Sequence, residues 1–207
     1  RSDLSAMIVI GLTGSIAMGK SETARMFAAE GIPVLDADAE VHRLYDAGGA
    51  AVAPLGRLVP EAIRNGKVDR AQLSAAIARD ETLLPRIEAI VHPLVRARQQ
   101  AFLADCRARG AAIAVLDIPL LFETGRDSEV DSVVVVTAPP EVQRARALAR
   151  PGMTAEKLEL ILARQIPDAE KRRRADYLVD SAQGLQAARR QVAAILADIE
   201  SKRSGAS

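Results

Sequence analysis

The chain has 207 residues, of which 49% are hydrophobic, 27% are charged and 2% are aromatic. It contains 28 lysines and arginines against 27 aspartates and glutamates, which gives a formal net charge of +1. Nucleic acids and anionic membranes attract basic surfaces, and single strands stack on aromatic rings, so this composition argues against both kinds of partner.

The first residues, 1–6, precede a plausible start at Met7, and we interpret them as leader or cloning residues outside the fold. No apolar run is long enough to span a bilayer, and no basic segment with an apolar signal core opens the chain. The single cysteine, Cys106, is unable to form an internal disulfide, which is typical of a reducing compartment. We therefore expect a cytoplasmic protein, either a monomer or a weak homo-oligomer, with one sizeable hydrophobic core and an insertion or lid.

Short apolar segments rich in branched residues are predicted to be strands. They are residues 7–12, 32–36, 113–118, 132–137 and 177–180. The segments at 113–118 and 132–137 are almost continuously apolar. Such runs are typical of strands that are buried on both faces of a parallel sheet covered by helices.

Helical patterns alternate with these strands. They cover residues 20–30 before Gly31 as the C-terminal cap, 69–80, 84–109 with an interruption at Pro93, 140–149, a stretch capped by Thr154, and 184–200. The alternation predicts an α/β fold with a doubly wound parallel sheet. The helical stretch from about 38 to 110 exceeds one crossover, so we expect it to form a subdomain beside the sheet.

A phosphate-binding motif lies between the first strand and the first helix. Gly14-Ser-Ile-Ala-Met-Gly-Lys-Ser21 matches G-x-x-x-x-G-K-[ST] without deviation. Its glycines let successive backbone N–H groups face phosphate oxygens, and the following helix directs its positive dipole end at the same anion. A chance glycine turn is the alternative, but the strand and helix on either side favour nucleotide binding.

Within this motif, we expect Lys20 to contact the outer phosphates of ATP and the Ser21 hydroxyl to bind Mg²⁺. The predicted nucleotide contacts come from Gly14, Ser15, Ile16, Ala17, Met18, Gly19, Lys20, Ser21 and Glu22.

Three carboxylates follow predicted strands. Asp36 and Asp38 follow the second strand, and Asp117 lies near the end of the third. Ligands bind outside the carboxyl ends of parallel strands, so these acids are expected beside the phosphate loop. There a carboxylate accepts a proton from an attacking hydroxyl or holds Mg²⁺ through water. For Asp36 a helix cap is an equal alternative; Asp38 is the favoured base, because Asp36 is placed to orient it.

Basic residues later in the chain are candidates for a lid. Arg146 and Arg150 lie on one helical face before a Pro-Gly break, where they are placed to clamp transferred phosphate charge, although a solvated helix face is an equal alternative. Arg164 is a lesser candidate. Residues 171–174 are interpreted as an exposed helix surface with no role. For His92, which precedes Pro93, a structural turn is at least as favoured as ligand binding.

Several sequence blocks together resemble the dephospho-CoA kinase family. They are residues 12–21, 34–38, 92–95, 117–123 and 175–180, and they occur in the family's order and spacing over nearly the whole chain. The most specific block is Asp117-Ile-Pro-Leu-Leu-Phe-Glu123, which other P-loop proteins lack.

The resemblance implies transfer of the ATP γ-phosphate to the 3′-hydroxyl of dephospho-CoA, the last step of coenzyme A synthesis. It implies a P-loop NTPase-type parallel sheet flanked by helices. The implied parts are a core at 7–37, 111–149 and 175–207, a helical acceptor-binding subdomain at about 38–110, and a lid at about 150–174.

The resemblance also assigns roles to single residues. By position, Asp38 matches the general base, and Arg70 and His92 match residues on the acceptor side. Arg146 and Arg150 match the lid arginines. Asp117 matches the acid beside the nucleotide phosphates, where it would bind Mg²⁺ through water.

The chain departs from the family pattern in the phosphate loop and after the last strand. Ser15 and Ala17 stand where the family often has glycine, and Ala17 is strained if its φ is positive. Ser181 replaces the usual asparagine after the last strand, which leaves the adenine contacts there open.

Three other functions are alternatives for this sequence. Another P-loop kinase, acting on a nucleoside monophosphate or a different hydroxyl, would need a different acceptor pocket. A GTP-binding switch would need an Asn-Lys-x-Asp element, whereas the only asparagine is Asn65, followed by glycine. An RNA-interacting or non-catalytic nucleotide-binding module is disfavoured by the near-neutral charge and the scarcity of aromatic residues.

Overall fold

The structure is a computed structural model that describes residues 7–205. Residues 1–6, interpreted above as leader or cloning residues, lie outside the described part of the chain. The chain divides into two compact units. The first unit comprises the chain up to Val34 and again from Cys106 onward, and the second comprises Leu35–Asp105.

The first unit is built on a parallel sheet. Its strands are β1 (Ile8–Thr13), β2 (Val34–Asp36), β5 (Ile113–Asp117), β6 (Ser132–Thr137) and β7 (Tyr177–Asp180). The strand order is β2-β5-β1-β6-β7, and only the first residue of β2 belongs to this unit. The pairs β1–β5, β1–β6 and β6–β7 are parallel. All five predicted strands are therefore confirmed.

Helices of the first unit flank this sheet. They are α1 (Lys20–Ala29), α6 (Pro140–Leu148), α7 (Ala155–Ala163), α8 (Asp168–Arg174) and α9 (Leu185–Gly205). Gly31 follows α1 with φ 78°, the left-handed conformation that ends many helices. The Thr154 hydroxyl caps α7 by accepting a hydrogen bond from the Lys157 N–H at 3.2 Å. Both predicted caps are confirmed.

The core of the first unit lies between the sheet and two of these helices. Every residue of β5 is buried, which explains why its first four residues are all apolar; the fifth is Asp117. Large buried side chains from β1, β6, α1 and α9 meet in this core, and each contributes about 1.5–3 kcal/mol on burial. They include Ile10, Leu12, Val134, Phe27, Val192 and Ile195.

The second unit is mostly helical. It contains α2 (Ala37–Tyr45), α3 (Val52–Leu58), a hairpin of β3 (Ile63–Arg64) and β4 (Lys67–Val68), α4 (Arg70–Arg79) and most of α5 (Leu83–Ala108). Its own core includes Leu44, Leu55, Leu73, Ile87 and Val91. The hairpin was not predicted. Its turn, Asn65-Gly66, has φ values of 50° and 74°, as a two-residue hairpin turn requires.

The predicted interruption of the long helix at Pro93 is wrong, and so is the interpretation of His92 as a turn. α5 is continuous through both residues. Pro93 is exposed, so water is able to satisfy the carbonyl group freed by the missing proline N–H. The opposite face of the helix is buried through Ile87, Val91 and Val95, and this packing stabilises the helix against the proline. Within residues 7–205, no helix has both the length and the apolar character needed to cross a bilayer.

Candidate active site

The phosphate loop connects β1 to α1, and two of its glycines have no substitute. A methyl group on Gly14 would lie 2.7 Å from the carbonyl oxygen of Val136. Gly19 is the N-cap of α1 with φ 94°, and it has no side chain with which to cap the helix. The N–H groups at the start of α1 are therefore open to an anion, as the sequence predicted.

Ala17 adopts a conformation that L-residues avoid. Its φ is 60°, in the left-handed region, which costs about 1–2 kcal/mol for a residue with a β-carbon. The strain anticipated from the sequence is therefore present. The Ala17 methyl group is buried against Ala147 of α6 and Leu158 of α7. The strained residue is therefore packed against both helices.

Lys20 and Asp117 meet at the end of the central strands. Asp117 is opposite Leu12 in the register of β5 and β1, one residue before β1 ends. Its side chain is 3% exposed and contacts the Lys20 ammonium group through Oδ1. These two residues, each predicted separately for the site, therefore meet beside the phosphate loop. Ser21, in the first turn of α1, is exposed, so hydroxyl and carboxylate oxygens, the donors that Mg²⁺ prefers, both occur here.

A cavity of about 320 Å³ opens beside the loop within the first unit. The residues that line it come from the loop, α1, the end of α6 and the residue that follows its cap, the segment after β7 and the start of α9, and they include the predicted pair Arg146 and Arg150. They are Ala17, Gly19, Glu22, Thr23, Met26, Arg146, Arg150, Ser181, Gly184, Leu185 and Ala188. Met26, Leu185 and Ala188 give it apolar walls, and the arginines supply positive charge. Such a cavity is suited to a flat base next to a phosphate chain.

Ser181 connects the loop to Arg146. Its hydroxyl lies 2.6 Å from the Met18 carbonyl oxygen, to which it donates. Arg146 donates to the same hydroxyl at 2.7 Å and to the Ser181 carbonyl oxygen at 2.9 Å. Sequence reasoning identified Ser181 only as a departure from the family pattern. Its position directly after β7, at the carboxyl edge of the sheet, was the available signal.

The interpretation of residues 171–174 as an exposed surface is wrong for Lys171. Arg172 and Arg173 are exposed, but Lys171 is 0% exposed, and its Nζ lies 2.7 Å from Glu123 Oε1. The geometry is that of a close ion pair and not of an aligned hydrogen bond. A lysine is buried this fully when a partner carboxylate offsets its desolvation. Arg164 is exposed at the end of α7.

In the second unit, Asp36 and Asp38 have different environments. Asp36 Oδ1 accepts hydrogen bonds from the backbone N–H groups of Asp38 at 2.8 Å and Ala39 at 3.1 Å, so Asp36 is the N-cap of α2. The Asp38 side chain is exposed, and within residues 7–205 it makes no ion pair. Of the two interpretations of Asp36, the cap is the one observed, and Asp38 keeps a free carboxylate.

A second cavity, of about 310 Å³, lies within the second unit. Three cationic residues, Arg43, Lys67 and Arg70, line it together with His42, Tyr45, Asp46 and Val68. The Arg70 guanidinium lies 5.3 Å from the centroid of the Tyr45 ring. Burial raises the pKa of the Tyr45 phenol, while Arg70 acts weakly in the opposite sense, so the phenol remains a neutral hydrogen-bond donor. His92 is exposed on α5 and is not among the described residues that line this cavity.

Comparison with known proteins gives similarity over almost the whole chain. A sequence model of the dephospho-CoA kinase family matches residues 8–187. The dephospho-CoA kinase of Mesorhizobium japonicum is 58% identical over 197 residues, which cover 95% of this chain and 99% of that protein. The dephospho-CoA kinase of Agrobacterium fabrum is 58% identical over 190 residues, covering 92% of this chain and 97% of that protein.

Solved structures agree with the fold. A crystal structure of a Thermus thermophilus protein superposes with a TM-score of 0.82 at 35% identity, covering 94% of this chain and 98% of that chain. The dephospho-CoA kinase of Campylobacter jejuni superposes with a TM-score of 0.65 at 21% identity, covering 93% of this chain and 97% of that chain. The sheet, the loop at Gly14–Ser21 and the flanking helices are those of a P-loop kinase.

Proposed function

The chain belongs to the dephospho-CoA kinase family and phosphorylates dephospho-CoA to give coenzyme A, and we propose that Asp38 and the phosphate loop carry this reaction. The observation that supports the proposal best is the start of α1, where no side chain caps the helix and Lys20 contacts the buried Asp117. A helix N-terminus beside a fixed lysine is a binding site for a polyphosphate.

ATP is the phosphoryl donor, and we assign its phosphates to the loop of the first unit. The N–H groups at the start of α1 and the Lys20 ammonium group hold the phosphate oxygens. The adenine base enters the 320 Å³ cavity and packs against its apolar wall at Met26, Leu185 and Ala188. Mg²⁺, when bound by Ser21 and, through water, by Asp117, neutralises phosphate charge.

We assign the acceptor to the cavity of the second unit. Arg43, Lys67 and Arg70 supply the positive charge that the diphosphate of dephospho-CoA requires. Tyr45 offers a ring face and a neutral hydroxyl group beside them. His92, which does not line this cavity, remains an acceptor-side residue only by its resemblance to the family.

The chemistry follows from the chain's own groups. The Asp38 carboxylate accepts the proton of the acceptor 3′-hydroxyl, whose oxygen attacks the γ-phosphorus of ATP. A new oxygen–phosphorus bond forms as the bond to the bridging oxygen breaks, and the electron pair leaves with ADP. Lys20, Arg146 and Arg150 stabilise the negative charge on the transferred group.

Cytoplasmic location and a monomeric or weakly associating state stay predictions.

Direct product detection tests this proposal. The purified protein is incubated with ATP, Mg²⁺ and dephospho-CoA, and coenzyme A is measured by mass spectrometry. We expect product only when both substrates are present, a strong reduction when Mg²⁺ is chelated, and none with an acceptor that lacks the 3′-hydroxyl. Full activity without a divalent cation would refute the Mg²⁺ assignment, and product from the 3′-deoxy acceptor would refute the hydroxyl assignment.

A further inference from the structure

Two glutamines hold the backbone of the phosphate loop at Ile16. The Ile16 N–H donates to Gln165 Oε1 at 3.2 Å, and the Ile16 carbonyl oxygen accepts from Gln143 Nε2 at 2.9 Å. Gln143 is a buried residue of α6, and Gln165 follows the end of α7. Both polar groups of one loop peptide position are therefore bonded to side chains distant in sequence.

The residue after Ile16 is the strained Ala17. A glycine would adopt its φ of 60° at no steric cost, whereas alanine needs support from its surroundings. Two hydrogen bonds at the preceding residue, each contributing about 0.5–1.5 kcal/mol, are of the same magnitude as the strain of about 1–2 kcal/mol. The burial of the Ala17 methyl against Ala147 and Leu158 adds to this support.

The backbone next to Gln165 is itself held by Glu123. Ile166, the neighbour of Gln165, donates its N–H to Glu123 Oε1 at 3.0 Å, and the same oxygen lies 2.7 Å from the buried Lys171 ammonium group. The residue that follows Gln165 is therefore anchored to Glu123, which in turn pairs with Lys171. Its carboxamide is held in place and does not have to be recruited by the nucleotide.

Gln165 and an internal hydrogen bond of the loop also limit which loop N–H groups remain for the nucleotide. The Ile16 N–H is bonded to Gln165, and the Met18 N–H donates to the Ser15 carbonyl oxygen at 3.2 Å. The phosphates are left with N–H groups nearer to α1, whose direction depends on the backbone turn at Ala17. A relaxed Ala17 would turn these groups away from the anion.

We propose that Gln143 and Gln165 are positioning residues that hold the phosphate loop in its anion-binding conformation and so determine the affinity for ATP. They replace the conformational freedom that a glycine at position 17 would provide. The inference rests on the proposed function only in placing ATP at the loop, and neither glutamine needs to contact the nucleotide.

The test uses the full chain with both glutamines replaced by methionine, which keeps side-chain volume and removes the hydrogen bonds. Binding of ATP is measured by calorimetry without acceptor, so the result is independent of whether coenzyme A is formed. We expect the Kd for ATP to rise about tenfold or more, because loss of two bonds is of the order of one factor of ten in an equilibrium constant. The KM for dephospho-CoA should change less than twofold.

The decisive arm adds Ala17→Gly to the double variant. We expect ATP affinity to return to within about threefold of the original chain, because glycine adopts the positive φ without support. The matched control is Gln100→Met, an exposed glutamine of α5, which should leave the Kd unchanged. An unaltered Kd in the double variant, or failure of Ala17→Gly to restore it while the melting temperature stays within a few degrees, would overturn the inference.

Discussion

Asp36 caps the helix that carries Asp38, and its carboxylate accepts a hydrogen bond from the Asp38 backbone N–H at 2.8 Å. The two acids are therefore not equivalent. The Asp36 carboxylate is bound to N–H groups at the start of α2. The Asp38 carboxylate, in contrast, is exposed and has no ion-pair partner within residues 7–205. A base needs a free carboxylate on a fixed backbone, and this arrangement provides both at once.

Asp38→Asn should remove the base and leave ATP binding intact. General-base catalysis contributes about 10²- to 10⁴-fold, so we expect kcat to fall by about that factor while the Kd for ATP stays within twofold. Steady-state kinetics and calorimetry measure the two quantities. Glu88→Gln, an exposed substitution in α5 with the same change of charge, is the control. Turnover close to normal in Asp38→Asn would exclude Asp38 as the base.

Asp36→Ala should act on the orientation of Asp38 and on the stability of α2. Loss of an N-cap costs about 1 kcal/mol, and we expect a several-fold lower kcat with little change in the KM for ATP. Asp36→Asn keeps a capping oxygen and should retain most of the activity. If the asparagine variant were as impaired as the alanine variant, the charge of Asp36 would matter more than its capping bond.

Ser181→Ala should remove one of the two acceptor atoms that Ser181 offers to Arg146, its hydroxyl oxygen, and keep the other, its carbonyl oxygen. The hydroxyl bonds Arg146 at 2.7 Å and the Met18 carbonyl oxygen at 2.6 Å, so its removal loosens the arginine beside the loop. We expect a three- to tenfold lower kcat/KM for ATP, from the loss of about 1 kcal/mol. Ser181→Thr keeps the hydroxyl and serves as the matched control; equal kinetics for the two variants would contradict this role.

The central sheet and the phosphate loop were predictable because their signals are local. An almost continuously apolar run such as Ser132–Thr137 is explained by burial on both faces of a parallel strand, and the loop motif is a contiguous pattern. The hairpin at residues 63–68 also has a local signal. Asn65-Gly66 is the dipeptide that two-residue hairpins favour, but the strands on either side of it have only two residues each and show no alternating pattern.

Other features depend on partners that are distant in sequence. Pro93 predicts a break by its own chemistry, but the buried face at Val91 and Val95 keeps α5 continuous. Gln143 and Gln165 carry no pattern that marks them, since their importance arises only from contact with Ile16. The proposed role of Asp38 as the base for phosphate transfer also has no local signal that would fix it. It comes from the family resemblance, and the kinetic variants above test it.

Lys171→Met should lower the stability of the first unit more than any exposed lysine or arginine change. Removal of one partner from a buried ion pair leaves the other charge without compensation, and for Glu123, whose side chain is 11% exposed, we expect a loss of about 3 kcal/mol in the free energy of unfolding. Urea denaturation measures this loss. Arg173→Met, at a side chain that is 74% exposed, should change it by less than about 1 kcal/mol.

The Lys171–Glu123 ion pair offers its own control. We attribute the loss of unfolding free energy in Lys171→Met mainly to the uncompensated charge of Glu123 and only partly to the missing contact. Adding Glu123→Gln removes that charge while its amide oxygen still accepts from the Ile166 N–H, the bond that measures 3.0 Å in the native chain. The double variant should therefore recover a large part of the lost stability. If the double variant were less stable than Lys171→Met, the lysine would act through packing and not through its ion pair with Glu123.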